Sequence, residues 1–203
     1  MTGNVFTKRQ KRYLAVKRFL DVILSFLAII VLFPFFIIVG LLVKITSRGP
    51  ILFRQKRIGR NKKVFRIFKF RTMRVDAPEI PPSNMTKEQQ KAMLTKIGAF
   101  LRKTSIDELP QVLNIFVGHM SIIGPRPAAA KNEDDIIEER DKYEPSPNLL
   151  RPGLSGYAQT HGRKHETKQK AEFDAFYAIN ISFSLDVKIF FLTIKKLFFF
   201  EGS

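Results

Sequence analysis

The feature that most restricts how this chain can fold is an uncharged apolar run of 22 residues, Val22–Val43. A straight helix rises about 1.5 Å per residue, so the run reaches about 33 Å, enough to cross the hydrocarbon core of a bilayer. A cleaved signal peptide would need a small-residue cleavage site after the run, and we find none there. The run therefore predicts insertion into a membrane.

Both flanks of this run are strongly basic, which bears on whether it crosses the membrane. Cytoplasmic flanks attract Lys and Arg, so a spanning helix would leave one basic cluster on the wrong side. Pro34, near the middle, removes one helical hydrogen bond. We therefore expect a re-entrant helix broken at Pro34, with Lys8 and Lys62 on the same side of the membrane. A kinked spanning helix is the alternative, since proline is common in membrane helices.

Positive charge is concentrated in the first part of the chain. The net charge is +17, and the first 74 residues hold 18 Lys and Arg but one acid, Asp21. A basic end of this kind indicates contact with a polyanionic surface, either nucleic acid or an anionic membrane. The apolar run favours the membrane, so no nucleic-acid partner is expected. The chain has no cysteine, which excludes disulfides and thiolate metal sites.

The remaining chain shows patterns of short strands and helices. Apolar and basic residues alternate on both sides of a turn at residues 59–61, which predicts a small basic β-hairpin. Residues 76–90 are rich in proline and polar groups and predict a loop. Helices are expected at Met93–Lys103, at residues 132–144 with a solvated acidic face, and in ISFSLDVKIFFLTIKKLFFF, an interfacial segment.

These patterns predict an irregular, mainly helical α/β fold with interfacial amphipathic helices and a small basic sheet. Residues 1–46 would form an N-terminal basic segment and the re-entrant membrane helix. Residues 47–203 would form a second domain at the membrane surface.

Two adjacent acids, Asp107 and Glu108, lie in KTSIDELPQ just before Pro110. One interpretation is a helix start, because Asp is a favoured N-cap and proline is tolerated near a helix start. The other is catalysis, in which the pair holds a metal ion and a carboxylate acts as nucleophile. These nine residues alone leave both interpretations open.

Two arginines lie in stretches that suit phosphate binding. Arg126 is flanked by proline on both sides, and a rigid loop that directs a guanidinium suits bidentate binding of phosphate. A structural turn with an exposed arginine is the alternative. Arg151 begins RPGLSGYAQTHGR, whose glycines are a weak signal for ligand binding. His161 and His165 are four residues apart but lack a cysteine or an HExxH pattern, so no zinc site is expected.

A membrane segment, an acidic pair and rigidly held arginines together indicate phosphoryl chemistry. The chain resembles the monotopic phosphoglycosyl transferases, the bacterial sugar transferases that begin capsule, O-antigen, exopolysaccharide and protein-glycan assembly. The resemblance covers Lys17–Lys196 and matches the family's short catalytic-core form. It rests on five stretches in the family's order: KRFLDVILS, ILFRQKRIGRNKKVFRIFKFRTM, LRKTSIDELPQVLNIFVGHMSIIGPRP, RPGLSGYAQTHGR and DAFYAINISFSLDVKIFFLTIKK.

The resemblance implies that Asp107 attacks the β-phosphate of a UDP-sugar, with Glu108 as its partner and Mg2+ bound at this pair. UMP would leave, and polyprenyl (undecaprenyl) phosphate would take the phosphosugar to give a polyprenyl-diphosphate-sugar. Arg102 and Arg126 resemble the family's phosphate-binding arginines, and Arg151 is a third candidate.

The resemblance also implies a place at the cytoplasmic face of a bacterial inner membrane, with Pro34 as the proline that breaks the re-entrant helix. The expected partners are a UDP-sugar, polyprenyl phosphate and the phospholipid membrane, and a homodimer is left open. The segment RKHETKQKAEFDAFY departs from the family's pattern, so the sugar is undetermined. The competing interpretation is a membrane-anchored basic protein that binds nucleic acid or anionic lipid without catalysis; it leaves IDELPQ and GPRP unexplained.

Overall fold

The computed structural model describes residues 5–77, 86–130, 133–161 and 166–198. The α-helices in these ranges are α1 (Lys8–Thr46), α2 (Lys87–Met93), α3 (Gly98–Lys103), α4 (Gln111–Phe116), α5 (Asp134–Asp141), α6 (Tyr157–Thr160), α7 (Thr167–Ile179) and α8 (Phe183–Phe198). The strands are β1 (Leu52–Ile58), β2 (Val64–Phe70), β3 (Ser121–Ile123), β4 (Ala128–Ala129) and β5 (Gly153–Ser155). Residues 78–85 of the expected loop and His165 lie outside the described residues.

Helix α1 is 39 residues long and begins at a reciprocal cap between Thr7 and Gln10. Pro34 lies inside it, and helical structure continues on both sides, so the break expected at this residue is not confirmed. Proline removes one hydrogen bond, and a long helix with apolar turns on either side can continue past that loss. Among the described residues α1 is the one helix long and apolar enough to cross a membrane, and 11% of its most apolar window is buried. The re-entrant path stays a prediction.

The basic hairpin is confirmed. Strands β1 and β2 pair antiparallel over seven positions, from Leu52 with Phe70 to Ile58 with Val64. The 3₁₀ turn Arg60–Lys62 joins them. The neighbouring strand β4 pairs with the other edge of β1, so the order is β2-β1-β4, while β3 and β5 form a separate parallel pair.

Helix α2, Lys87–Met93, lies mostly within residues 76–90, so the loop predicted there is wrong for residues 87–90. Of the helix expected at Met93–Lys103, the part from Gly98 to Lys103 is observed as α3, and residues 94–97 are not helical. The chain turns here because Leu94 bridges to Met73 and the Thr95 amide donates to the Thr72 carbonyl at 2.9 Å. Contact with the end of β2 therefore overrides the helical pattern. The acidic helix at residues 132–144 is observed as α5, and the C-terminal apolar segment as α8.

Both ends of α1 pack against the folded body of the protein. Near its start, Tyr13 and Leu14 contact a core cluster that includes Tyr177 and Ile189. Near its end, Val39 and Val43 join a cluster with Phe70 and Leu101. Most apolar side chains of α1 are exposed. The five buried residues of the helix include two apolar side chains, Val39 and Val43, and are otherwise Asp21, Ser25 and Gly40. The body of the protein thus lies along α1 rather than beyond one of its ends.

Candidate active site

The acidic pair lies in a 3₁₀ turn, Ile106–Glu108, between α3 and α4. Ser105 precedes it with a left-handed φ of 57°, which redirects the chain after α3. Asp107 is 7% exposed and lies inside this turn. It is not the N-cap of α4, because Pro110 occupies that position and α4 starts at Gln111. The N-cap interpretation of Asp107 is therefore wrong, and its catalytic role stays a prediction.

Asn114 fixes α4 against the outer edge of β2. This side chain is fully buried; its Nδ2 donates to the Arg66 carbonyl at 2.8 Å, and its Oδ1 accepts from the Phe68 amide at 2.9 Å. It thus takes the place of a neighbouring strand on that edge. Asn114 is the one polar residue in Val112–Val117. Its hydrogen bonds place the acidic turn next to Lys69 on the same strand.

Cations on two elements surround the acidic pair. Lys69 Nζ donates to Glu108 Oε1 at 2.7 Å. Arg102 on α3 donates from Nε to Thr72 Oγ1 at 2.9 Å, and its charge acts on Asp107. Burial raises the pKa of Asp107 to about 6; Lys69 and Arg102 act against this rise and Glu108 adds to it. The centre of the site is therefore the poorly solvated carboxylate of Asp107, with the cations Lys69 and Arg102 close to it.

The side chain of Arg126 is exposed, whereas the prolines on either side of it are buried. Arg140 Nη2 donates to the Arg126 carbonyl at 2.9 Å, and Arg57 Nη1 donates to the Pro127 carbonyl at 3.1 Å. Two further backbone bonds, from the Gly124 and Gly153 amides, tie this loop to the chain around β5. The loop therefore presents one guanidinium from a backbone that is fixed on both sides.

Arg57 links this loop to the acidic turn. Burial lowers the pKa of Arg57. The charge of Arg126 adds to this lowering, whereas the charges of Glu133 and Glu108 oppose it. Dissolved salt screens exposed charges beyond about 10 Å. The side chains of Glu133, Arg126 and Glu108 therefore all lie near Arg57. The structure thus brings Asp107, Glu108 and Arg102 together and connects Arg126 to them through Arg57.

Arg151 is not part of that neighbourhood. Its Nε donates to the Gly118 carbonyl at 3.0 Å, and its pKa is lowered by burial and by Arg60 and Arg18, against Asp21. A phosphate-binding role for Arg151 stays a prediction, and the structure places this residue apart from the acidic pair.

The glycines of RPGLSG are explained by contact between two loops. A Cβ atom on Gly153 would lie 2.1 Å from the Gly124 amide nitrogen, and one on Gly156 would lie 2.0 Å from the Gly124 carbonyl oxygen. No residue with a Cβ atom fits where the two backbones lie this close together. These glycines therefore bring the backbone close to the loop that carries Arg126.

Sequence reasoning missed Lys69, Thr72 and the buried pair of Arg140 and Asp174. Lys69 is one of many basic residues in an alternating strand, so its spacing carries no distinguishing signal. Arg140 lies in a stretch interpreted as a solvated helix face, yet it is 5% exposed. The available clue was that Arg140 is one of only two basic residues, with Lys142, in this acid-rich stretch.

Two carboxylates are too few for a metal site made of protein ligands alone. Within the described ranges no group of three or more His, Cys, Asp or Glu side chains could hold a metal ion. Mg2+ is commonly bound by one or two carboxylates together with substrate phosphates. Asp107 and Glu108 fit that donor set, so Mg2+ shared with a diphosphate substrate stays a prediction.

An apolar helix thus packs on the same body as the buried carboxylate of Asp107, its half-buried neighbour Glu108 and the rigidly held Arg126. A model of the family "Bacterial sugar transferase" matches residues 12–200, and the chain belongs to this family. The family expected from the sequence is thus confirmed.

Relatives with known names agree with this assignment. The exopolysaccharide production protein PSS of Rhizobium leguminosarum bv. phaseoli is 38% identical over 193 residues, covering 89% of this chain and 94% of that protein. A UDP-glucose:undecaprenyl-phosphate glucose-1-phosphate transferase of Klebsiella pneumoniae is 38% identical over 188 residues, covering 90% and 40%. An Aeromonas hydrophila protein, UDP-N-acetylgalactosamine-undecaprenyl-phosphate N-acetylgalactosaminephosphotransferase, is 36% identical over 189 residues, covering 91% and 44%. The match therefore spans about two fifths of the last two relatives.

Proposed function

We propose that this protein is a phosphoglycosyl transferase that moves a phosphosugar from a UDP-sugar to undecaprenyl phosphate. The observation that carries the proposal is the buried carboxylate of Asp107 between Lys69 and Arg102, in a chain whose relatives carry names of that activity. The relatives act on UDP-glucose or UDP-N-acetylgalactosamine by name, so this pair of sugars comes first among candidates. Sugar phosphate transfer of this kind would begin the membrane stage of polysaccharide assembly.

The reaction would proceed in two displacements at phosphorus. In the first, an oxygen of Asp107 bonds to the β-phosphorus of the UDP-sugar, the bond from that phosphorus to the bridging oxygen breaks, and UMP leaves. In the second, a phosphate oxygen of undecaprenyl phosphate bonds to the same phosphorus, and the bond to Asp107 breaks. The products are undecaprenyl-diphosphate-sugar, UMP and the free carboxylate.

Each cation near the pair has a definite role in this scheme. Arg102 and Arg126 would bind phosphate oxygens, because a guanidinium presents paired donors to them. Lys69 would hold Glu108, which leaves Asp107 as the carboxylate that reacts. Mg2+ on the acidic pair would offset the charge of the diphosphate.

The membrane arrangement we propose is the re-entrant one, at the cytoplasmic face. Arg18 donates to two carbonyls at the end of α4, and Val43 packs against Phe70 on β2. These contacts lie about 25 residues apart, which a straight helix would separate by about 38 Å. If α1 spanned the bilayer, the body touching both ends would have to span it as well. A body outside the bilayer therefore favours both ends of α1 on one side.

No observation favours the competing interpretation of a basic binding protein without chemistry. It accounts for the charge of the first 74 residues but not for the buried carboxylate of Asp107. The first test is UMP release from UDP-glucose and UDP-N-acetylgalactosamine, with Mg2+ and undecaprenyl phosphate, in a membrane mimic. We expect release from at least one sugar and none from Asp107→Asn. Equal release by that variant would refute the role of Asp107.

A further inference from the structure

An open cavity of about 320 Å³ lies between the first turns of α1 and the residues that precede β5. Four cationic side chains line it against one acid, Asp21: they are Lys17, Arg18, Arg60 and Arg151. We call it the cationic cavity. Neither acid of the candidate active site lines it, and the proposed reaction does not use it.

In two of the four cations, the terminal nitrogens already have protein partners. Lys17 forms an ion pair with Asp186. Arg18 donates from both terminal nitrogens to the last carbonyls of α4, at 2.7 and 2.9 Å. Asp21 accepts from the Ile122 amide at 3.0 Å. These contacts are structural, and they hold the start of α1 in place.

Arg60 and Arg151 each have terminal nitrogens that the described residues leave unbonded. Each uses Nε for one backbone carbonyl, that of Leu149 at 3.1 Å and that of Gly118 at 3.0 Å, respectively. In the part of the chain that the structure describes, the terminal nitrogens of neither guanidinium make a hydrogen bond. A guanidinium fork of this kind matches two oxygens of a phosphate group.

The cavity brings several positive charges close together, and a bound anion would reduce the repulsion between them. The pKa of Arg151 is lowered by burial and further by Arg60 and Arg18, against the single acid Asp21. Ser121 also lines the cavity and is 1% exposed, and its hydroxyl has no hydrogen-bond partner among the described residues. Repulsion between cations and an unpaired hydroxyl are both features that a bound anion would remove.

The rest of the lining is mostly apolar, including Leu14, Ile123, Leu150 and Ile181. Lys17 and Arg18 lie within about one and a half helical turns of Val22, where the apolar run of α1 begins. In a membrane-inserted chain this is the depth at which lipid phosphates meet the hydrocarbon core. A ligand with a phosphate and an apolar continuation therefore fits both walls.

We propose that the cationic cavity binds the phosphate of an anionic phospholipid, of the phosphatidylglycerol class, and so fixes the start of α1 at the membrane surface. The terminal nitrogens of Arg60 and Arg151 would take the phosphate oxygens. The glycerol and the first acyl carbons would contact the apolar wall.

The test measures the melting temperature of the purified full chain in non-ionic detergent during titration with short-chain phosphatidylglycerol. Phosphatidylcholine of the same chain length, inorganic phosphate and undecaprenyl phosphate are the comparison ligands. Arg60→Gln removes one fork from the cavity. Lys63→Gln, an exposed residue just after the same turn, removes the same charge outside it.

We expect phosphatidylglycerol to raise the melting temperature more than either phosphatidylcholine or inorganic phosphate. Arg60→Gln should weaken its apparent affinity about tenfold, the equivalent of one charge-assisted hydrogen bond, and Lys63→Gln less than about twofold. If Arg60→Gln does not fold, Arg60→Lys, which keeps the charge but loses the fork, should still weaken binding.

Three results would overturn the proposal. Equal effects of the two phospholipids, or equal losses in the Arg60 and Lys63 variants, would mean unspecific surface attraction. An equal effect of inorganic phosphate would mean a free-phosphate site. Displacement of phosphatidylglycerol by equimolar undecaprenyl phosphate would assign the cavity to the acceptor lipid. None of these results depends on UMP release, so the proposed reaction is tested separately.

Discussion

Arg140 Nη2 donates a 2.9 Å hydrogen bond to the backbone carbonyl of Arg126, and the same nitrogen pairs with Asp174 Oδ2 at 2.5 Å. Arg140 and Asp174 are 5% and 1% exposed, whereas Arg126 is exposed. A buried ion pair between α5 and α7 therefore holds the backbone that carries the exposed side chain of Arg126.

This relationship predicts that Arg140 acts by positioning Arg126. Arg140→Met leaves Asp174 buried without its partner, which should cost about 3–5 kcal/mol of folding free energy. The double variant Arg140→Met/Asp174→Leu removes both charges and should recover most of that loss. The measurement is thermal unfolding of both variants in detergent.

Activity separates positioning from stability in the same pair of variants. The double variant should fold yet show a raised KM for the UDP-sugar, because the Arg126 carbonyl has lost its donor. Arg126→Gln should show the same change without loss of stability. A double variant with unchanged KM would mean that the ion pair serves folding alone.

Asp107 is predicted to lower the stability of the fold that it serves. Burial raises the pKa of its carboxyl from 3.8 to about 6, so the folded state holds this proton more tightly than the unfolded state does. Its contribution to stability therefore falls as the pH rises from about 4 through about 6. Asp107→Asn should stabilise the metal-free protein at pH 8 by about 1–3 kcal/mol.

The check is thermal unfolding of wild type and Asp107→Asn from pH 4 to pH 8 in the presence of a chelator. The difference between the two should shrink toward pH 4, where Asp107 is protonated. Glu108→Gln is the matched control; since Glu108 pairs with Lys69, it should not stabilise. A destabilised Asp107→Asn would show that this carboxylate is held in place by favourable contacts instead.

Asn114 is predicted to be essential for the placement of the acidic turn. Asn114→Ala leaves the Phe68 amide and the Arg66 carbonyl without their partner, which should cost about 2–4 kcal/mol. Because α4 follows the turn directly, UMP release should fall as well. Gln111→Ala on the same helix is a suitable comparison, because the Gln111 side chain is buried but makes no hydrogen bond to β2 in the described part of the chain. Thermal unfolding should separate the two variants.

The re-entrant path predicts that both basic flanks of α1 face the cytoplasm. The chain has no cysteine, so single cysteines at Lys8 and Lys63 can be introduced without background. Lys63 is preferred to Lys62 because Lys62 pairs with Asp141. A membrane-impermeant maleimide should label both sites in inverted vesicles and neither in intact spheroplasts. Labelling of Lys8→Cys in spheroplasts would instead establish a spanning helix.

Parts of this structure that depend on short sequence stretches could be predicted, and the sites that depend on distant contacts could not. The basic hairpin follows from residues that alternate within each strand. The rigid loop at Arg126 follows from its two flanking prolines. The pairing of Arg140 with Asp174, in contrast, joins residues 34 positions apart, and no periodicity marks either of them.

The incorrect predictions have similar physical causes. Asp107 was compatible with a helix N-cap, but the left-handed Ser105 and Pro110 place it inside a separate 3₁₀ turn. The break expected at Pro34 is not confirmed, because helical structure continues through this residue and one lost hydrogen bond does not end a helix of 39 residues. Arg151 is a different case: its location depends on how two glycine-tight loops pack, which residue spacing does not encode, and its phosphate-binding role stays a prediction.

The central claim is that Asp107 carries the phosphosugar. The most direct measurement is the intact mass of the purified chain after incubation with the active UDP-sugar and Mg2+ but without undecaprenyl phosphate, followed by peptide mapping. The account predicts one added phosphosugar on the peptide containing Asp107, lost when undecaprenyl phosphate is supplied and absent from Asp107→Asn. UMP release by wild type with no adduct, or with an adduct on another residue, would contradict it.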